Sequence, residues 1–130
     1  MTLVLDTCAV LWAVSQPEAL SESAREALTA EDASVCVSPI SCAEIACAVD
    51  RKRVVLDRHW RTWFRHHVTA NQWQVIDIDL ALVEEAYSLP EPFHRDPADR
   101  LIVATARRLN AAVVTADKKM LAYPHVQTVW

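Results

Sequence analysis

The sequence predicts an α/β fold, a mostly parallel β-sheet with helices packed on both faces, in one domain spanning residues 1–130. Two observations carry that expectation. Short apolar, strand-like runs alternate along the chain with segments of helical spacing, the order a parallel sheet needs because each crossover returns through a helix. The 130 residues are 52% hydrophobic and 23% charged, which supplies one compact core and excludes a disordered chain.

The first element is a buried strand over 2–6, where Leu3, Val4 and Leu5 run into Asp6. Residues 7–15 continue as an apolar helix carrying Leu11 and Trp12. A second helix begins at Ser21, an N-cap candidate followed by strong helix formers. Residues 33–38 give the second strand. The helix over 40–49 holds Glu44 as its one charge and ends at the polar, basic patch Asp50, Arg51, Lys52 and Arg53.

Residues 57–72 have helical spacing and carry Trp60, Trp63 and Phe64 among Arg58, Arg61, Arg65, His59, His66 and His67. That cluster admits core packing as the leading reading, then a hydrophobic groove for a partner helix, then base stacking beside arginine. A strand over 74–78 and a helix over 80–88 follow, then a loop with Pro90 and Pro92. Asp96 and Pro97 open the strongest helix, since Asp is a favoured N-cap and Pro suits the first helical position; it runs to about Asn110. A buried strand over 112–115, a helical turn from Asp117 and an extended segment over 126–130 complete the chain.

Several classes are excluded or narrowed. No run approaches the roughly 20 apolar residues of a membrane span. Met1 leads directly into the first strand, so the expectation is a cytoplasmic protein without a cleavable leader. Cys8, Cys36, Cys42 and Cys47 form neither a Cys-x-x-Cys pair nor a zinc-ligand set with histidine, and are expected as free, buried thiols. Gly is absent, which removes the usual P-loop and dinucleotide fingerprints. The net charge of −4 opposes phosphate binding by basic residues, yet acids that hold a metal add to that count without opposing RNA. Charge alone leaves both readings open.

The carboxylates are the most informative residues. Asp6, Glu44, Asp99 and Asp117 each fall at the end of a strand-like run or in the first turns of the next helix, places that converge on one edge of an open α/β sheet. Each has a plainer role. Asp6 and Asp117 are N-cap candidates, Glu44 completes a capping box with Ser41, Asp96 caps its helix, and Asp99 meets the dipole of the same helix. Four carboxylates at one edge repel one another unless a divalent cation lies among them. That points to Mg²⁺ or Mn²⁺ and to metal-assisted phosphoryl chemistry.

An ordered set of segments then carries a likeness over nearly the whole chain: Leu5, Asp6 and Thr7 with Leu11 and Trp12; Val37 and Ser38 through Glu44, Ile45 and Ala46; Leu89 and Pro90 with the run from His94 to Ile102; Val114 to Asp117; and Tyr123 to Trp130. The chain resembles a PIN-domain ribonuclease of the VapC toxin type. The resemblance implies a three-layer α/β/α fold, a metal-dependent endoribonuclease, a cognate antitoxin that blocks the site, and a homodimer. It places Asp6, Glu44, Asp99 and Asp117 on the family's acidic quartet and Thr7 and Thr115 on small hydroxyl positions near the metal. Asp96 matches an additional acid, assigned mainly to structure. Ala43 stands where the family often has an aromatic residue. The Gly-free segment from Asp50 to Val54 stands where the family has a Gly, so these two departures bear on substrate fit.

In that reading Asp6 and Asp99 bind Mg²⁺ or Mn²⁺ directly, and Glu44 and Asp117 bind it directly or through water. Attack by water on RNA leaves a 5′-phosphate and a 3′-hydroxyl, with no side-chain nucleophile. Arg95 and Arg100 are expected to hold the RNA backbone, or Arg100 to pair with an acid at the surface, and His94 is read as incidental. The alternative is a catalytically silent PIN-like module that binds RNA or protein. A receiver or phosphatase domain ranks behind, because Asp6, Thr7 and Cys8 lack its paired acids.

Overall fold

The computed structural model describes residues 1–130. Its strands β1 (Thr2–Leu5), β2 (Ser34–Val37), β3 (Gln74–Val75), β4 (Ala112–Val114) and β5 (Gln127–Val129) form one all-parallel sheet in the order β3-β2-β1-β4-β5. The helices are α1 (Thr7–Ser15), α2 (Glu22–Thr29), α3 (Pro39–Asp50), α4 (Trp60–Ala70), α5 (Leu80–Ala86), α6 (Pro97–Leu109) and α7 (Lys118–Ala122), with a 3₁₀ turn at Pro17–Ala19. The chain leaves β1 toward β2 and later returns on its other side as β4. The strand order therefore reverses between β1 and β4, and the crevice beyond the carboxyl ends at such a point is where open parallel sheets bind ligands.

Alternation along the strands divides the core into two faces. Leu3, Leu5 and Val114 pack with Val10, Ile45 and Trp63 from α1, α3 and α4. Val4 and Val113 point the other way, against Ile102, Val103 and Met120 from α6 and α7. Helices on both faces give the expected three layers. Helix α6 is the most deeply set, with eight of its 13 residues buried.

Boundaries differ from the sequence reading where local chemistry decides. Helix α3 starts at Pro39, with Ser38 as the cap accepting the Ile40 N–H at 3.2 Å. Ser41 is therefore inside the helix, and the capping box with Glu44 does not form. Strand β3 is two residues long, although the Ile76 N–H still reaches Val37 O at 3.0 Å. Helix α4 begins three residues late because His59 caps it, leaving Asp57 and Arg58 to pair outside. Trp63 and Phe64 are buried in the core and the partly buried Trp60 packs beside them, so core packing, the leading reading of the cluster, holds for Trp63 and Phe64. All four cysteines are free, but only Cys36 is buried; Cys8 and Cys47 are exposed because α1 and α3 turn those positions outward.

A chain without glycine still has to stop its helices. Lys52, Gln72 and Asn110 take the left-handed position after α3, α4 and α6, with φ of 58°, 57° and 52°. At each, the following N–H bonds back to a carbonyl five residues earlier: Arg53 to Ala48 at 2.8 Å, Trp73 to Val68 at 3.0 Å and Ala111 to Ala106 at 2.8 Å. These are Schellman caps; Asn110 tolerates the left-handed conformation, whereas Lys52 and Gln72 are disfavoured in it by about 1 kcal/mol or more each.

Candidate active site

Asp6 leaves the end of β1 and caps α1. Its Oδ1 accepts the Ala9 N–H at 2.8 Å and its Oδ2 accepts the Thr115 hydroxyl at 2.5 Å. Thr115, fully buried after β4, also receives the Asp117 N–H at 3.0 Å, so one hydroxyl ties two acids across the strand-order reversal. Asp117 caps α7 by accepting the Lys119 N–H at 2.8 Å. Capping thus orients both carboxylates and leaves lone pairs on each for a further ligand.

Glu44 reaches the same place from the second turn of α3. The Thr7 hydroxyl donates to its Oε1, and Thr7 Oγ1 also lies 3.0 Å from Ser41 Oγ. Asp99 comes from the first turn of α6, where Asp96 caps the helix by accepting the Asp99 N–H at 3.0 Å. His94 Nε2 stands 3.0 Å from Asp99 Oδ2 and has no other partner. His94, incidental in the sequence, stands in the site because of how the preceding loop folds, and only its closeness to Asp99 in sequence signals the contact.

Asp6, Glu44, Asp99 and Asp117 line one cleft of about 930 Å³, together with Thr7 and Asp96. Their fields overlap. Burial above all, then the charges of Asp96, Asp117, Glu44 and Asp6, push the Asp99 carboxyl up to about 7. Burial also raises Asp6, against the Thr115 and Ala9 hydrogen bonds and with help from Asp117 and Glu44. The Cys8 thiol, open to the cleft, is raised by the partial desolvation of the cleft wall and then by all four acids. None of Asp6, Glu44 or Asp117 has a Lys or Arg partner. The side chains share the cleft without closing into a coordination sphere, since no three His, Cys, Asp or Glu groups meet at metal-binding spacing. The donor set is nonetheless all carboxylate oxygen with uncompensated charge, the chemistry that suits a hard divalent cation.

Arg100 is a correction. It is 5% exposed and points away from the cleft, donating to His94 O at 2.9 Å, Phe93 O at 2.9 Å, Ala86 O at 3.1 Å and Glu91 Oε1 at 3.2 Å. A guanidinium enclosed by carbonyls is not free to hold RNA; it pairs with one acid, the exposed Glu91, and shapes the loop that delivers His94 to Asp99. Arg95 is exposed and lies outside the cleft lining.

A family model for the PIN domain matches residues 3–126. The chain belongs to the PIN-domain family. Across 99% of its length this PIN domain is 31% identical to Ribonuclease VapC22 of Mycobacterium tuberculosis, covering 98% of that protein. Its fold is similar to that in the structure of VapBC2 from Rickettsia felis bound to a promoter DNA fragment, with a TM-score of 0.69 and 18% identity over 98% of this chain and 97% of that one. A toxin–antitoxin complex from Klebsiella pneumoniae gives a TM-score of 0.65 and 19% identity, covering 98% and 96% of the two chains. No helix of this PIN domain is long and apolar enough to cross a membrane.

Proposed function

We propose that this PIN domain is a metal-dependent endoribonuclease, the toxin of a toxin–antitoxin pair, acting on RNA in the cytoplasm and held in check by a cognate antitoxin as a homodimer. The observation that carries the reading is the gathering of Asp6, Glu44, Asp99 and Asp117 on one cleft at the strand-order reversal, with no basic side chain to balance Asp6, Glu44 or Asp117. The relative named for ribonuclease activity over nearly the full length supports the substrate class.

Asp6 and Asp99 would hold the cation, and Glu44 and Asp117 would complete its shell directly or through water. When bound, Mg²⁺ or Mn²⁺ supplies Lewis acidity to the phosphate and lowers the pKa of water. The protein's own residues do the rest. Thr115 fixes Asp6 and Asp117 relative to each other. Thr7 fixes Glu44. Asp99, whose carboxyl is raised to about 7 by burial and by its acidic neighbours, would bind the cation in its ionised form. In-line attack by water then leaves a 5′-phosphate and a 3′-hydroxyl.

The test is cleavage of a labelled total-RNA pool by antitoxin-free protein with Mg²⁺ or Mn²⁺, with EDTA, and with Asp6→Asn, which keeps an acceptor for the Ala9 N–H. Metal-dependent cuts with 5′-phosphates, absent in the variant, support the reading. RNA binding without cleavage in any metal replaces it with a silent binding module.

A further inference from the structure

The cleft extends beyond the acids. Along α3, Glu44, Cys47, Ala48 and Arg51 stand at i, i+3, i+4 and i+7, on one helical face, and all four line it. Arg53 lines it too, because the left-handed Lys52 reverses the chain and the Arg53 N–H bonds back to Ala48 O at 2.8 Å. Across the channel, α1 contributes Trp12, whose ring packs at 5.6 Å on that of Trp130. The floor between acids and arginines is small and apolar, Ala43, Cys47 and Ala48.

Arg51 and Arg53 are exposed and neither has a carboxylate partner. In a chain of net charge −4, two free guanidiniums at one end of an otherwise acidic channel are out of keeping with the average surface. Seven residues of helix separate Glu44 from Arg51 by about 10 Å along the axis. The arginines therefore stand beyond the acids along the helix, where a single strand tracking the cleft presents a neighbouring phosphate.

We propose that Arg51 and Arg53 form a second phosphate-binding site for single-stranded RNA, gripping the backbone of the strand downstream or upstream of the bond cut at the acids, with Trp12 as the wall of the channel. The inference rests on the nuclease reading of the acidic end. Guanidinium is suited to the part, since its planar fork binds phosphate oxygens bidentately. The strong Schellman turn at Lys52 holds both side chains on the channel without a glycine.

The experiment is fluorescence anisotropy of a short labelled single-stranded RNA with the antitoxin-free full chain in EDTA, across a salt series, comparing the unmodified protein, Arg51→Ala/Arg53→Ala, and Lys52→Asn. Asparagine tolerates the left-handed turn, so the last variant removes a neighbouring charge outside the channel. The double variant is expected to bind about tenfold more weakly and to lose about 1.4 from the slope of log K against log salt, two single-strand contacts. Lys52→Asn is expected to keep the slope. In Mg²⁺ or Mn²⁺ the double variant should raise KM and leave kcat in place. Unchanged affinity and slope in a double variant with the same thermal melt overturns the site while the nuclease reading stands. Salt-dependent binding lost in the double variant, from a protein that cleaves nothing, keeps the site and overturns the nuclease. Weaker binding of a labelled oligo-glutamate with RNA binding intact makes the arginines a protein-docking site and also overturns the proposal.

Discussion

Thr115 donates its hydroxyl hydrogen to Asp6 Oδ2 at 2.5 Å across 109 residues of sequence, joining the ends of two adjacent strands at the point where the sheet order reverses. The same hydroxyl receives the Asp117 N–H. Thr115→Val keeps the shape and removes both bonds. It leaves a buried carboxylate oxygen and an amide unsatisfied, at about 1–3 kcal/mol each. Urea denaturation should show a loss of at least about 1 kcal/mol, RNA cleavage should fall, and Thr115→Ser should restore much of both.

The raised Asp99 carboxyl makes stability depend on pH in an unusual direction. Its folded pKa of about 7 lies above the ordinary aspartate value, so between about pH 4 and pH 7 the folded state holds more protons than the unfolded one. Stability without metal therefore falls as pH rises through that window, and Asp6, also raised, adds to the slope. Thermal melts from pH 4 to pH 8 in EDTA should show the decline, and Asp99→Asn should flatten it.

Arg100 is expected to matter for folding and hardly at all for RNA affinity. Arg100→Ala orphans the carbonyls of Ala86, Phe93 and His94, at a cost of about 3 kcal/mol or more. Arg100→Lys recovers only part, since an ammonium cannot reproduce the fork. Denaturant melts together with RNA anisotropy on whatever fraction stays folded check both halves.

The helix stops predict a gain. Gln72→Gly relieves the left-handed position after α4, and the relief is partly offset by the greater freedom of glycine in the unfolded chain. A stabilisation of about 0.5 kcal/mol by urea denaturation is expected. A loss instead would show that the side chain of Gln72 contributes contacts that outweigh the turn.

Much of the architecture was legible because several helix starts carry their own signal. Asp6, Ser21, Asp96 and Asp117 cap the helices their positions suggested. The alternation of strand-like runs with helical segments gave the parallel sheet and its covering layers, whereas the division of Leu3, Val4 and Leu5 between two faces came with the structure. The miss at Ser41 shows the limit: Pro39 at the first helical position was the better clue, and it makes Ser38 the cap. At the site, four acids spread over the sequence meet on one cleft as the strand ends required. Burial of Arg100 and the approach of His94 to Asp99 were not legible. Both depend on a loop closing around a guanidinium, which no local pattern encodes. The exposure of Cys8 and Cys47 was hidden for a related reason, since the cleft they line exists only once α1 and α3 pack side by side.

Joint binding of a divalent cation by the four carboxylates is open to direct measurement. Titration of the metal-free protein with Mn²⁺, followed by the loss of free-ion signal in electron paramagnetic resonance, tests it without reference to catalysis. Saturable binding is expected at neutral pH, weaker by about tenfold or more in Asp6→Asn and Asp99→Asn and weakened by acid as the carboxylates take up protons. Binding of equal strength in both variants, or none in the unmodified folded protein, would contradict it.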